Sequence, residues 1–218
     1  MIVGERLTDF VNAQDRGLPA DLEALYQEAQ RTDVPVIRRE TQSLLRFLLA
    51  EKKPEKILEV GTAIGFSALF MSSILPASRI TTIENYEKRI HVARENFRRF
   101  QKQEQITLIE GDAEEVLPTL PDAGYEFIFM DAAKGQYIHF LPQIKRLLSP
   151  GGLLVSDNVL QEGEIIESRF AVTRRNRTIH ARMREYLSAL MKDEALVSTI
   201  LTVGDGVALT IKKEGAFL

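Results

Sequence analysis

The apolar positions along this chain change their spacing part-way. Over residues 5–14 and 20–31 they recur every three or four positions, with Leu7, Phe10 and Val11 and then Leu22, Leu25, Tyr26 and Ala29, which predicts two short amphipathic helices. The stretch ETQSLLRFLLAEKK predicts a third, ending near Pro54. Beyond it, short β-type runs alternate with helical ones. KILEV (56–60), RITTIE (79–84), ITLIE (106–110), YEFIFM (125–130) and GLLVS (152–156) read as strands. Residues 65–75, 86–100 and 113–120, and a segment within 137–148, read as the helices between them. Pro142 falls inside the last of these and predicts a late start or a kink. A helix around 178–192 leads into VSTILTV, GDG and VALTIKK, two β runs about a glycine-rich turn, which read as a hairpin.

Alternating strands and helices with short links imply right-handed crossovers and a parallel sheet covered on both faces. The closing hairpin requires one strand to run antiparallel to its neighbour. The pattern therefore predicts an α/β fold in one domain over 1–218, with an N-terminal helical segment (1–52) and an α/β core (53–218).

Composition narrows the chemistry. A hydrophobic fraction of 44% over 218 residues is normal for a packed protein. The absence of cysteine removes disulfides, thiolate catalysis and cysteine-based metal sites, and fits a cytoplasmic protein. No run approaches signal or bilayer-spanning length, so no membrane partner is expected. A net charge of −3 argues against a globally basic nucleic-acid binder but not against a local basic patch.

In open parallel sheets ligands bind beyond the carboxyl ends of the strands. Each predicted strand here delivers an acid or amide to that rim: Glu59, Glu84, Asp112, Asp131 and Asp157-Asn158. The first loop, Glu59 to Gly65, is E-x-G-x-x-x-G and not the G-x-G-x-x-G of dinucleotide enzymes. Gly61 and Gly65 permit a tight turn, and the helix beginning near Gly65 offers free N–H groups to a carboxylate, with the Ser67 hydroxyl beside them. Glu84 is placed to hold two ribose hydroxyls and Asp112 to accept an adenine amino group. A carboxylate, a ribose and an adenine without a phosphate describe S-adenosylmethionine. An NAD enzyme and a ligand-free structural loop are the competing readings.

These motifs resemble the class I S-adenosylmethionine-dependent methyltransferases, and within them the cation-dependent O-methyltransferases of the catechol and caffeoyl-CoA type. ILEVGTAIGFSA matches the cofactor loop, FIFMDAAKGQY the family's Asp-x-x-Lys, GGLLVSDNVL its Asp-Asn and GDGVALTIKK its closing hairpin. The resemblance implies a Rossmann-like, seven-stranded, mostly parallel sheet with one antiparallel strand. It implies cofactor contacts from Val36, Glu59, Gly61, Thr62, Gly65, Ser67, Glu84, Asp112, Ala113 and Asp131. It makes Asp131, Asp157 and Asn158 ligands of a divalent cation, and Lys134 the general base. Three oxygen donors without His or Cys suit magnesium, with manganese or calcium as alternatives. His91, His139 and His180 are read as surface or packing residues.

Within this group the chain resembles the bacterial tRNA 5-hydroxyuridine methyltransferases, which implies a tRNA anticodon loop as partner and a homodimer, for which the apolar N-terminal helices could serve. Residues 169–184 hold Arg169, Arg174, Arg175, Arg177, Arg182 and Arg184 and no acid, and Arg38 and Arg39 add to a candidate phosphate-contacting surface. A solvated helix face is the alternative for that stretch. A small catechol-like acceptor, or a methyltransferase fold that only binds, are the alternatives for the function.

Overall fold

A computed structural model describes residues 4–168 and 170–215. Seven strands form one sheet in the order β3-β2-β1-β4-β5-β7-β6. They are β1 (Lys56–Val60), β2 (Arg79–Glu84), β3 (Ile106–Glu110), β4 (Tyr125–Met130), β5 (Leu148–Ser156), β6 (Leu196–Leu201) and β7 (Val207–Lys212). The first five are mutually parallel, and β7 is antiparallel to both β5 and β6. β7 is therefore the antiparallel strand that the hairpin required.

The helices are α1 (Glu5–Ala13), α2 (Ala20–Arg31), α3 (Arg39–Lys52), α4 (Phe66–Ile74), α5 (Glu87–Arg99), α6 (Ala113–Val116), α7 (Tyr137–Leu147) and α8 (Arg177–Lys192). Side-chain alternation along each strand divides the apolar residues between two cores. Ile57, Phe127, Phe129 and Val155 face Leu25, Leu45, Leu49, Phe66, Phe70 and Phe97 of α2 to α5. Leu58, Val60, Ile128, Met130 and Leu154 face Phe140, Ile144, Met183 and Tyr186 of α7 and α8. Burial on both faces explains why the central strands read as unbroken apolar runs rather than alternating ones. α2 and α3 share their core with the sheet, so the N-terminal helices are part of its covering layer. α1 buries no residue and lies along α3.

Two elements depart from the sequence pattern. α7 does not start late: it begins at Tyr137 and runs through Pro142. Pro142 is near enough to the helix start that its missing N–H forfeits one early bond, to the Ile138 carbonyl. The burial of Tyr137, Phe140, Leu141 and Ile144 holds the turn in spite of it. β5 starts at Leu148 rather than residue 152. Tyr125 pairs with Leu148 but Phe127 with Leu153, so Ser149–Gly152 form an irregular insertion at the strand's entry, far from the carboxyl rim.

Candidate active site

A cavity of about 1180 Å³ opens at the carboxyl ends of β1, β2, β4 and β5. Its walls bring together Val36, Gly61, Thr62, Ser67, Glu84, Asp112, Ala113, Asp131, Lys134, Asp157 and Asn158, eleven of the thirteen candidate site residues. Glu59 and Gly65 are the two outside the lining.

The half beside β1 and β2 is built from backbone turns. Gly61 has φ +102, and a Cβ there would sit 2.1 Å from the Asp131 carbonyl oxygen, so the first loop and the end of β4 can touch only if this residue is glycine. Ala63 is held left-handed at φ +47, an uncommon conformation for a residue with a Cβ. Its N–H is fixed by the Glu84 carboxylate at 2.8 Å. Glu84 also accepts from the N–H groups of Asn85 and Tyr86 at 3.1 and 3.0 Å. One carboxylate thus organises two loops and still lines the cavity. Asp112 caps α6 by accepting the Glu114 N–H and is bridged to Glu84's neighbour Asn85 at 3.2 Å.

Glu59 corrects the sequence reading of a cofactor contact. On β1 it shares a face with Ile57, the face that α4 covers, so its side chain enters the interior. There it accepts hydrogen bonds from Ser67 Oγ and Thr82 Oγ1 and is fully buried. Burial pushes its carboxyl up to about 8, so it is largely protonated at neutral pH and offers the cofactor no charge. Gly65 likewise acts at one remove. It is the left-handed residue before α4, and a Cβ there would meet the Phe97 ring at 2.5 Å.

The other half of the cavity lies beyond β4 and β5. Met130 pairs with Ser156, so Asp131 and Asp157 follow at the ends of neighbouring strands, where strand spacing is about 4.8 Å. Asn158 comes next, left-handed at φ +57, with its N–H on Asp157 Oδ1. Asn tolerates that conformation better than most residues. Lys134 opens the short 3-10 turn after β4. Burial raises the Asp131 carboxyl, with Lys134 and Arg89 acting in the opposite sense. Burial raises Asp157 too, and the neighbouring Asp131 carboxylate raises it further. Two desolvated acids that repel each other, beside a side-chain amide oxygen, form a donor set that a hard divalent cation fits and relieves.

The direction of these shifts fixes a pH dependence. The native chain holds protons on Glu59, Asp131 and Asp157 that the unfolded chain releases near pH 4, so stability falls as pH rises from about 5 towards 8. Glu23 and Asp193, whose carboxyls are lowered chiefly by hydrogen bonds from Arg39 and Lys145, act below that window, where their stabilisation is lost on acidification. Thermal melts of metal-free protein should show this decline. Added Mg2+ should raise Tm by an amount that grows with pH over the same interval. A metal increment that is flat from pH 5 to 8 contradicts the assignment.

Glu84 gives a second expected result. Glu84→Ala should weaken S-adenosylmethionine binding by about 1–3 kcal/mol, the scale of a charged hydrogen bond. It should also lower Tm, because three N–H groups lose their acceptor. Titration calorimetry with unchanged affinity would remove Glu84 from the site.

Two features of the site were not anticipated. Asp205, in the turn between β6 and β7, is 3% exposed and lines the cavity. Arg89 of α5 lines it as well and bears on Asp131. Arg38, one of the candidate phosphate contacts, also lines the cavity and pairs there with Glu162 at 2.7 Å. Arg39, by contrast, is turned away from the cavity. It pairs with Glu23 at 2.6 Å and stacks on Tyr26, clamping α3 to α2, and this is a structural role in place of the expected phosphate contact. Arg177, Arg182 and Arg184 donate to the carbonyls of Val172, Gly135 and Ile165, whereas Arg174 and Arg175 are exposed. Arg169 lies outside the described residues. His91 and His139 are exposed, and His180 is buried on the inner side of α8.

A mostly parallel sheet closed by an inserted antiparallel strand, with an acidic rim at the carboxyl ends of its strands and an E-x-G-x-x-x-G first loop, defines an S-adenosylmethionine-dependent methyltransferase of the Rossmann-like kind. The chain belongs to the O-methyltransferase family, whose model matches residues 14–213. A relative from Niastella koreensis named catechol O-methyltransferase is 31% identical over 97% of this chain and 96% of its own. Among solved structures, one from Staphylococcus aureus, provisionally named a caffeoyl-CoA O-methyltransferase, is 32% identical with a TM-score of 0.85, covering 95% of this chain and 98% of that one. The SAH-bound methyltransferase PaMTH1 of Podospora anserina is 29% identical with a TM-score of 0.84, over 97% of each chain. Among the described residues, no helix is long and apolar enough to cross a membrane.

Proposed function

We propose that this enzyme methylates one of two adjacent oxygens on a small catechol-like acceptor. The observation that carries the reading is the convergence of Asp131, Asp157, Asn158 and Lys134 on one cavity wall, facing the Gly61–Glu84 wall. A divalent cation held by Asp131, Asp157 and Asn158 would act as a Lewis acid that orients the acceptor and makes its hydroxyl more acidic. Lys134, as the free amine that a cation beside it would favour, takes the hydroxyl proton and becomes an ammonium. The oxygen then forms a bond to the methyl carbon as the carbon–sulfur bond breaks, and the electron pair goes to sulfur, cancelling the sulfonium charge. The loops of the Gly61–Glu84 wall and the cation ligands hold the two reactants in line. The similarity to relatives named catechol O-methyltransferases supports the acceptor class.

A second reading, 5-hydroxyuridine in a tRNA anticodon loop, has one observation in its favour. Phe170 is 86% exposed, with Arg174 and Arg175 exposed shortly after it in the chain. That is an aromatic face for a base beside cations for phosphates. Its uracil presents the same pair of adjacent oxygens, so the site chemistry serves both. The test is methyl transfer from labelled S-adenosylmethionine to a simple catechol and to tRNA carrying 5-hydroxyuridine, each with Mg2+ and with chelator. Mg2+-dependent product from the catechol supports the first reading, and product from tRNA alone replaces it with the second. Turnover of either in excess chelator rejects the cation. A homodimer is also proposed, through Leu7, Phe10 and Val11 of α1 and Phe47 of α3, all exposed. Sedimentation of the wild type against Phe10→Glu tests it.

A further inference from the structure

The first loop has few donors left for an anion. The N–H groups of Gly61 and Thr62 both donate to the Ile83 carbonyl at 3.1 Å, that of Ala63 to Glu84, and that of Gly65 to the Thr62 carbonyl at 2.8 Å. The hydroxyls are spent as well. Thr62 Oγ1 is paired with Thr82 Oγ1 at 2.6 Å, and Ser67, expected from the sequence to serve a carboxylate, donates to Glu59. The first turn of α4 can still face an anion, but with partial charges and no full one.

S-adenosylmethionine carries two positive groups, its sulfonium and its ammonium, and one negative group, its carboxylate. Carboxylates dominate the cavity lining, which suits the first two and repels the third. Among the described residues, three cations line the same cavity: Arg38, Arg89 and Lys134. Arg38 is paired with Glu162 at 2.7 Å, and Lys134 lies 3.5 Å from Asp205. Arg89 pairs with no carboxylate among the described residues. Its guanidinium flanks the Tyr86 ring, 5.7 Å from the centroid.

α5 holds Arg89 over the first loop. Arg89, Ala93 and Asn96 are four and three residues apart, so they share one face of that helix. Ala93 is fully buried, and Asn96 Nδ2 donates to the Ile64 carbonyl at 2.9 Å. The next residue, Phe97, fills the space where a Cβ of Gly65 would stand. That face is therefore packed on the loop. α5 follows β2 at the carboxyl rim, so Arg89, in its first turn, stands about 10 Å nearer the rim than Asn96. There it lines the cavity with Gly61, Ala63 and Asp131.

We propose that Arg89 reads the carboxylate of S-adenosylmethionine, pairing with it beside the Gly61–Ala63 turn and so setting the preference for the intact amino-acid end of the cofactor. The inference rests on the reading of this cavity as the cofactor site. It gives Arg89 no part in proton transfer or in holding the cation.

The test is titration calorimetry on the full-length enzyme with two ligands. One is S-adenosylmethionine; the other is its decarboxylated form, which keeps the adenine, ribose, sulfonium and amine and lacks only the carboxylate. Wild type should bind the first more tightly by about 10- to 100-fold, the scale of one hydrogen bond to a charged group. R89M should lose that preference. Its affinity for S-adenosylmethionine should fall by the same factor, and its affinity for the decarboxylated form should stay within about twofold of wild type, as a cycle over residue and ligand group requires. R89Q, which keeps a polar side chain without the charge, carries the same comparison if R89M does not fold. Equal weakening of both ligands overturns the inference and makes Arg89 a support for the loop or for Asp131. Unchanged affinity for both ligands overturns it too, as does a wild type without preference. Binding of neither ligand by folded wild type removes the cofactor reading of the cavity itself, and the inference with it.

Discussion

Lys134→Ala should cut kcat by about 10²–10⁴-fold, the range for a positioned general base, and leave S-adenosylmethionine affinity within about twofold of wild type. The two effects separate because of where the residue stands. Lys134 lies in the turn after β4, on the wall with Asp131 and Asp157, whereas Gly61, Glu84 and Asp112 line the half of the cavity proposed for the cofactor. Glu84 holds its loop through three N–H groups, none of which depends on Lys134. The variant should also bind Mg2+ no more weakly, since Lys134 is not among the oxygen donors, Asp131, Asp157 and Asn158, proposed to hold the cation. Single-turnover kinetics beside titration calorimetry measure both. A Lys134→Ala enzyme with wild-type turnover would show that the acceptor loses its proton to another group or to water.

Asp157→Asn should be the other severe change, lowering kcat/KM by about 10²–10⁴-fold. Loss of several kcal/mol of electrostatic stabilisation corresponds to that range at 1.4 kcal/mol per decade. The amide keeps the shape and the acceptor for the Asn158 N–H. What disappears is a buried negative charge that burial and Asp131 both disfavour. The variant should therefore be inactive and, free of metal at pH 8, at least as stable as wild type. Mg2+ should raise its Tm much less than it raises that of the parent. If D157N melts lower than wild type without metal, the strain assigned to the acid pair is wrong. If it turns over normally, Asp157 is not part of the reacting site.

Most of the sheet was legible because its strands are buried on both faces and so appear as short apolar runs punctuated by Gly61, Gly111, Asp131 and Asp157. The rim was legible for the same reason, since a charged residue that ends an apolar strand has only the carboxyl edge to go to. Glu59 shows the limit. A parity of two states that Glu59 points opposite to Leu58 and Val60, but not which face α4 will cover, and that decides whether the carboxyl meets a ligand or Ser67. Arg39 shows another: Glu23 and Tyr26 are a helix away in sequence, and a run of arginines carries no record of which are already paired. Asp205 was hidden by its own turn. The GDG signal is fully explained by a hairpin until the strand order places that hairpin beside β5, next to the loops that carry Lys134 and Asn158.

The strand order β5-β7-β6 has a bearing on how the molecule is made. On a ribosome β6 emerges before β7, yet it has no sheet edge of its own to join, because the place beside β5 belongs to a strand not yet synthesised. Before β7 is made β5 has no neighbour on that side, and β6 can reach the sheet only through β7. Until then the loop after β5 lacks the carbonyls of Asp205 and Gly206 that hold it. A translation intermediate stalled ahead of the hairpin would own the Gly61–Glu84 half of its cleft and an unfinished opposite bank.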